Sequence, residues 1–435
     1  MSRKISLDDT PDDIRKQILS DLTIKIESDK YAANAPPTYI YPFDIYEENK
    51  KDYAYIPFAY GNTCKGGPFS RPEKDKLQST SYNFEGSLRD TQKDVKKEAI
   101  EHLNKNGSTI ISAYPGFGKT SISIYIASKI KLKTFIICHR IVLINQWEES
   151  IKKFCPDATV QILDSTSKKE DCDFYIMNAI NVSKRPRNDF IDIGLVIVDE
   201  IHCIMSEILS KCLCYLTPRF LIGLSATPYR EDGLNILLDL YFGTLKIYKK
   251  LHRKHSVYKI STSFTPKMET GANGRVNWGT VLESQASNLG RNEMIINIVK
   301  YFPKRVFLIL CKRVDQARFL VKRLKEEGED VTSLIGNQQE FEKSSRILIG
   351  TTLKTGTGFD HPRLDTMILA GDVQAYYIQA LGRIMRTQDG VPIVFDIVDK
   401  NPILEKHYKV RKNVYIEHGG VIKDFAKSFP ELNVI

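Results

Sequence analysis

Two short stretches hold residue types suited to binding and cleaving a phosphoanhydride. Residues 110–120 read Ile-Ile-Ser-Ala-Tyr-Pro-Gly-Phe-Gly-Lys-Thr. Ile110, Ile111 and Ala113 have the apolar character of a strand end. Tyr114, Pro115, Gly116, Phe117 and Gly118 make a turn, and Lys119-Thr120-Ser121 open an amphipathic run to Lys129. A strand, a glycine-rich turn and a helix starting Lys-Thr form a phosphate cradle. The glycines let backbone N–H groups close on a β-phosphate at the positive end of the helix dipole. Lys119 then reaches the β- and γ-phosphates, and the Thr120 hydroxyl holds Mg²⁺. The second stretch is Leu195-Val196-Ile197-Val198 followed by Asp199-Glu200-Ile201-His202. Asp199, at a strand end, suits a Mg²⁺-coordinating carboxylate. Glu200 suits a group that orients or deprotonates an attacking water. A chance glycine turn and an acidic helix cap would explain each stretch alone. Both together, in strand-to-helix context, favour a site for ATP and Mg²⁺.

A third constellation is Gln379-Ala380-Leu381-Gly382-Arg383-Ile384-Met385-Arg386. Gln379, Arg383 and Arg386 are spaced four and three apart and share one helix face. Arginines presented this way can reach a γ-phosphate and neutralise transition-state charge; the plainer alternative is surface salt-bridging. Ahead of the phosphate loop, Arg89 and Gln92 could contact adenine, Arg89 by stacking and Gln92 through its amide.

These residues need a scaffold that presents strand ends. From Ser112 onward, short apolar strands alternate with helical runs, the pattern of an α/β, doubly wound parallel sheet whose ligands bind at the carboxyl ends of the strands. A second, similar alternation follows a basic stretch at 245–258. The expected organisation is an N-terminal accessory region (1–84) and two α/β domains (85–244 and 245–435). The N-terminal region promises a short helix capped near Pro11, Tyr- and Pro-rich strands and loops, and a linker from Gly61 to Ser81.

With 435 residues, of which 42% are hydrophobic, the chain can build two such cores. No run approaches a membrane span, the first ten residues are polar and charged, and the eight cysteines show no zinc spacing. An intracellular, reducing setting with no membrane partner is expected. Net charge is +10, and residues 245–435 alone carry +11, against −1 for 1–84 and zero for 85–244. A basic face there suggests a polyanion partner.

In motif order and spacing, residues 85–400 resemble the superfamily-two helicases, within them the group containing the XPB-type, UvsW-type and poxviral transcript-release helicases. The resemblance implies two tandem RecA-like domains. It matches Ala113-x-x-Gly116-x-Gly118-Lys119-Thr120 to motif I in its superfamily-two form, and the segment Arg140 to Trp147, with Gln146, to strand-contacting motif Ia. It matches Asp199 to His202 to the DExH form of motif II. Ser225-Ala226-Thr227 resembles motif III, which with His202 couples hydrolysis to strand movement, and Arg230-Glu231-Asp232 resembles the RED element. Gly290-Arg291-Asn292 is typical of the group. Thr351 to Asp360 resembles motif V, placing Thr351 and Thr352 on nucleic acid and Gly358 and Asp360 at the nucleotide. Here Thr357-Gly358-Phe359-Asp360 replaces the usual Arg-Gly-x-Asp. Gln379 to Arg386 is similar to motif VI. Met177-Asn178 stands where motif Ib is expected. Tyr55-Ile56-Pro57-Phe58-Ala59-Tyr60-Gly61 looks like the leader of viral members.

The implied activity is a DNA-stimulated ATPase that translocates 3′-to-5′ along one strand, as a monomer, with the transcription machinery as a further candidate partner. Transcript release, recombination and repair are all compatible with it, and a viral source is implied. An RNA helicase is the nearest alternative. A nucleic-acid-binding scaffold with weak ATPase would lack Lys119, Glu200 or Arg383, and all three are present.

Overall fold

The computed structural model describes residues 2–26, 38–66, 69–205, 211–226, 234–271, 276–338, 340–355, 361, 363–373, 377–386 and 390–432. The chain forms two compact units, 1–249 and 250–435.

The first unit begins with a small antiparallel region. Strands β1 (Ser2–Ser6), β4 (Asp44–Glu48) and β5 (Lys51–Pro57) form one sheet, and β2 (Ile24–Ile26) pairs with β3 (Thr38–Ile40). Pro11 precedes the helix Asp12–Asp21, whose first turn is acidic, as helix starts favour. This region shares its core with the rest of the unit. Ile24, Ile40 and Phe58 lie in one buried cluster with Ile110, Val198 and Leu237. The Ser2 N–H donates to Leu216 O at 2.8 Å, the Tyr241 hydroxyl donates to Pro42 O at 3.1 Å, and Arg187 pairs with Asp44.

Seven parallel strands form the main sheet of this unit: β6 (Ser108–Ala113), β7 (Thr134–Cys138), β8 (Val160–Leu163), β9 (Phe174–Asn178), β10 (Leu195–Val198), β11 (Phe220–Ser225) and β12 (Lys246–Lys249). Their order is β12-β6-β11-β10-β7-β9-β8. The inner strands are buried along their whole length, which is why they read as unbroken apolar runs. Helices α1 (Asp90–Asn106), α2 (Lys119–Ile130) and α3 (Ile141–Phe154) pack beside them. The sheet runs past residue 244, because Ile247 is buried against the first core and Lys246–Lys249 pairs with β6.

The second unit repeats the architecture. Its strands are β13 (His255–Ser261), β14 (Phe307–Cys311), β15 (Val331–Leu334), β16 (Ile347–Thr351), β17 (Thr366–Leu369), β18 (Ile393–Val398) and β19 (Gly420–Asp424), in the order β15-β16-β14-β17-β18-β13-β19, again all parallel. Its helices include α4 (Trp278–Ser287), α5 (Leu289–Tyr301), α6 (Val314–Glu326), α7 (Tyr377–Ile384) and α8 (Pro402–Glu417). The two units are therefore RecA-like domains in tandem along the chain. The basic stretch at 245–258 contributes to both sheets: it contains β12, and its end becomes β13, paired with β18 on one side and β19 on the other. Among the described residues, no helix is long and apolar enough to cross a membrane.

Candidate active site

Strand β6 delivers the phosphate loop. Gly116 and Gly118 take φ of 88° and 96°, left-handed values that glycine adopts without steric cost. At Gly118 a side chain is excluded twice over, since a Cβ would lie 2.2 Å from Gln92 Nε2. Phe117 is buried and meets Tyr114 edge-on at 5.3 Å. Pro115 is buried and Gly116 exposed, so the loop is anchored on one side and open on the other. Lys119 Nζ donates to Ala113 O at 2.8 Å, which holds the amine over the loop it would serve. Ser121 Oγ donates to Gly118 O at 2.9 Å. Thr120 is half-buried at the second residue of α2.

Arg89 and Gln92, the residues expected at adenine, are bonded to each other and to the phosphate loop. Gln92 is 4% exposed; its Oε1 accepts the Arg89 N–H at 2.8 Å and its Nε2 donates to Phe117 O at 2.8 Å. Arg89 Nη2 donates to Phe117 O and to Gly116 O. The start of α1 thus satisfies carbonyls of the phosphate loop, because a tight loop turned outward toward a ligand leaves its inner carbonyls to be bonded by protein. The far end of α1 is tied to the N-terminal region by Asn62 Nδ2 on Asn106 O at 2.9 Å and Arg71 Nη1 on Leu103 O at 3.2 Å.

Two strands from β6, β10 ends in Asp199 and Glu200. Asp199 is 8% exposed. Its Oδ2 accepts the Trp147 indole N–H at 2.9 Å and its Oδ1 the Glu200 N–H at 3.0 Å. Burial, and then the neighbouring Glu200 carboxylate, push the Asp199 carboxyl up to about 6, against the pull of the Trp147 bond and the Lys119 charge. Glu200 itself sits at φ 48°, a left-handed conformation for a residue with a Cβ, before the short helix Ile201–Ile204. Its Oε2 lies 3.5 Å from His202 Nδ1. His202 Nδ1 also shares a hydrogen bond with Ser225 Oγ at 3.0 Å. Ser225 ends β11, the strand lying between β6 and β10, and Ala226 follows it half-buried. The strand order thus places the tip of β11 between the phosphate loop and the two carboxylates.

Arg140 caps α3 just past the tip of β7, and Gln146 lies half-buried on α3 beside the fully buried Trp147. His139, between β7 and α3, is held neutral: burial, then the charges of Arg140 and His202, push it down to about 4. Trp147 is a residue at this site to which sequence reasoning gave no role of its own. It lies inside the motif-Ia stretch, but its bond to a carboxylate 52 positions away has no signature in local spacing.

In the second unit, α7 carries Gln379, Gly382 and Arg383. Gln379 is 7% exposed and Arg383 half-buried. Arg386 follows two residues after the helix, half-buried, its N–H on Arg383 O at 3.4 Å. The expected helix from Ala375 is described from Tyr377. Thr351 ends β16, and Thr352 is buried at the start of the next short helix, where Thr355 Oγ donates to Thr351 O at 3.0 Å. Thr227, Arg230, Gly358 and Asp360 lie outside the described residues. Arg291 is fully buried: its Nε donates to both Asp399 oxygens, at 3.0 and 3.1 Å, and its Nη1 to Ala370 O.

Residues 85–230 match the family model of the type III restriction enzyme res subunit. A protein of Invertebrate iridescent virus 6 that bears a helicase name is 42% identical, over 98% of this chain and 100% of its own length. A transcript termination protein of Yaba-like disease virus is 28% identical, over 62% of this chain and 63% of its own. The solved structure of yeast (S. cerevisiae) Dbp5 bound to RNA and ADP BeF3 superimposes with a TM-score of 0.55 at 14% identity, over 78% of this chain and 92% of that one. Phosphate loop, Asp-Glu-x-His strand tip, paired RecA-like sheets and full-length identity to a viral relative agree: this chain belongs to the viral superfamily-two helicases, ATP-hydrolysing enzymes.

Proposed function

We propose that the chain is a DNA-stimulated translocase that moves 3′-to-5′ on one strand and acts in viral transcript release or in recombination and repair. One observation carries the motor reading. Ser225, at the tip of β11, is hydrogen-bonded to His202 of the Asp-Glu-x-His turn, and β11 is the direct neighbour of the phosphate-loop strand. A change in phosphate charge on β6 and β10 therefore has a short route into the segment that follows Ser225.

Lys119 and the N–H groups of the loop hold the β- and γ-phosphates, and Glu200 orients the attacking water and takes its proton. Arg383 and Arg386 neutralise charge that develops in the transition state. Asp199 and Thr120 suit a bound Mg²⁺. Asp199 is a buried carboxylate destabilised by its acidic neighbour, and a divalent cation supplies the positive charge that Lys119 alone provides incompletely. When bound, the ion screens the phosphate oxygens.

DNA is favoured over RNA by the resemblance to the UvsW- and XPB-like group. The excess of +11 over residues 245–435 supports phosphate-dominated binding with little base readout. Transcript release is favoured by the Yaba-like disease virus relative. The RNA reading has one observation behind it, the shared fold with an RNA-bound enzyme. Single-stranded DNA and RNA competing for stimulation of ATP turnover decide between them. DNA stimulation at lower concentration, with unwinding confined to 3′-tailed duplexes, is expected. Preferential stimulation by RNA would replace this reading with the second one.

A further inference from the structure

The segment 370–373 leads from β17 toward α7, the helix of Gln379 and Arg383. Connections of this kind usually run over the surface with their backbone in water. Here all four residues are buried, and side chains from four helices grip them. Ala370 O accepts from Arg291 Nη1 of α5 and, at 3.1 Å, from Gln316 Nε2 of α6. The Asp372 N–H donates to Gln285 Oε1 of α4 at 3.3 Å. The Asp372 carboxylate receives Arg411 Nη1 at 3.0 Å and His407 Nδ1 at 2.7 Å, both from α8. Arg411 Nη1 also donates to Val373 O at 3.3 Å. The other edge of the same guanidinium makes a fork with Asp396, at 2.8 Å to each oxygen. Tyr415, one turn further along α8, donates to Asp396 at 3.0 Å and meets the ring of Tyr377, the first residue of α7, edge-on at 6.0 Å.

Buried ion pairs of this kind give little net stability, since apolar residues of similar volume do as well or better. What a bidentate guanidinium bonded through all three of its nitrogens supplies is fixed geometry. We propose that Arg411 is a positioning residue for ATP hydrolysis: through Asp372, Val373 and the Tyr415–Tyr377 contact it sets the place and pitch of α7, and so of Arg383. The proposal rests on the role of Arg383 in neutralising transition-state charge. A group that must meet a developing charge loses on the order of a hundredfold in rate for about 1 Å of misplacement, so the effect belongs in turnover and not in nucleotide affinity.

Arg411→Lys keeps the charge and removes the fork. Its thermal melt, its affinity for a fluorescent ADP and its single-turnover hydrolysis at saturating DNA are measured beside Arg383→Ala and the double variant. We expect a folded protein with ADP affinity within about twofold of wild type and hydrolysis slower by about tenfold to a hundredfold. The double variant should be no slower than Arg383→Ala alone, because both changes remove one function. A folded Arg411→Lys protein with wild-type hydrolysis overturns the proposal, as does a double variant in which the two losses multiply. If Arg411→Lys does not fold, Tyr415→Phe, which loses one hydroxyl and keeps its ring on Tyr377, is judged by the same comparison. Full hydrolysis by Arg383→Ala would overturn the role of that arginine, and this proposal with it; failure of the Arg411 and Tyr415 variants alone leaves that role standing.

Discussion

The two units treat buried charge in opposite ways. In the first, Lys119, Asp199, Glu200 and His202 stand just beyond the strand tips, held by neutral partners such as Ala113 O, the Trp147 indole and Ser225 Oγ. Asp199 is pushed up to about 6, and Glu200 keeps a left-handed backbone. In the second, Arg411 forks onto Asp396 and Arg291 Nε meets both oxygens of Asp399, while Gln285, Thr262 and Tyr415 add bonds to those same oxygens. A site that exchanges ligands gains from charge its own protein leaves under-compensated, since an incoming phosphate or cation then binds by completing it. A frame gains from the reverse, because a densely bonded network has few arrangements.

The strongest way to break this contrast is Lys119→Ala. Turnover should fall by about a thousandfold or more, while circular dichroism and melting stay close to wild type. Activity within tenfold of wild type would remove the first unit's strand tips from the chemistry. Next in size is Arg291→Met, which strands Asp399 as a buried, uncompensated charge. A loss of about 3–5 kcal/mol is expected in denaturant unfolding. Adding Asp399→Leu should restore most of it, and a single variant costing under about 1 kcal/mol would mean the pair frames nothing.

Trp147→Phe tests the under-compensated side. It removes one donor to the buried Asp199, costs about 1–3 kcal/mol, and raises the Asp199 carboxyl further. Half-maximal turnover should then require more Mg²⁺; an unchanged Mg²⁺ titration would show that the indole bond is packing only. The smallest effect is a gain. Glu200→Gly relieves the left-handed backbone and should stabilise the protein by about 1 kcal/mol while hydrolysis is lost. A lower melting temperature would show that the side chain, not the backbone, sets the local energy.

Strands buried on both faces were legible because nothing interrupts them: Leu195 to Val198 is four consecutive apolar residues. Edge strands were not. Val160–Leu163, Val331–Leu334 and Gly420–Asp424 are short and partly exposed, and mix polar with apolar residues. Helix α8 was not read from the sequence either, although Asn401 caps Ile403 at 2.8 Å with Pro402 behind it, because its lysines hide the buried face. In the site, residue types and spacing exposed the phosphate loop and the Asp199-Glu200 pair. They could not reveal that Gln92 bonds the loop itself, or that Trp147 reaches Asp199, because both depend on how distant segments meet. The conformation of Glu200 also has no sequence signal, as glutamate is not a residue that prefers it.

The region before residue 85 has a consequence for how such chains diversify. It shares a hydrophobic cluster with β6 and β10, receives the Tyr241 hydroxyl on Pro42 O, and grips the end of α1 whose other end holds the phosphate loop. Seventeen residues of helix at about 1.5 Å each make α1 a strut roughly 25 Å long between them. A leader built in this way cannot be exchanged between relatives as a cassette, because its inner face and the ATPase behind it are one surface. Substitutions in it must be matched by substitutions beneath, so the two should drift together in lineages where a detachable domain would be free to come and go.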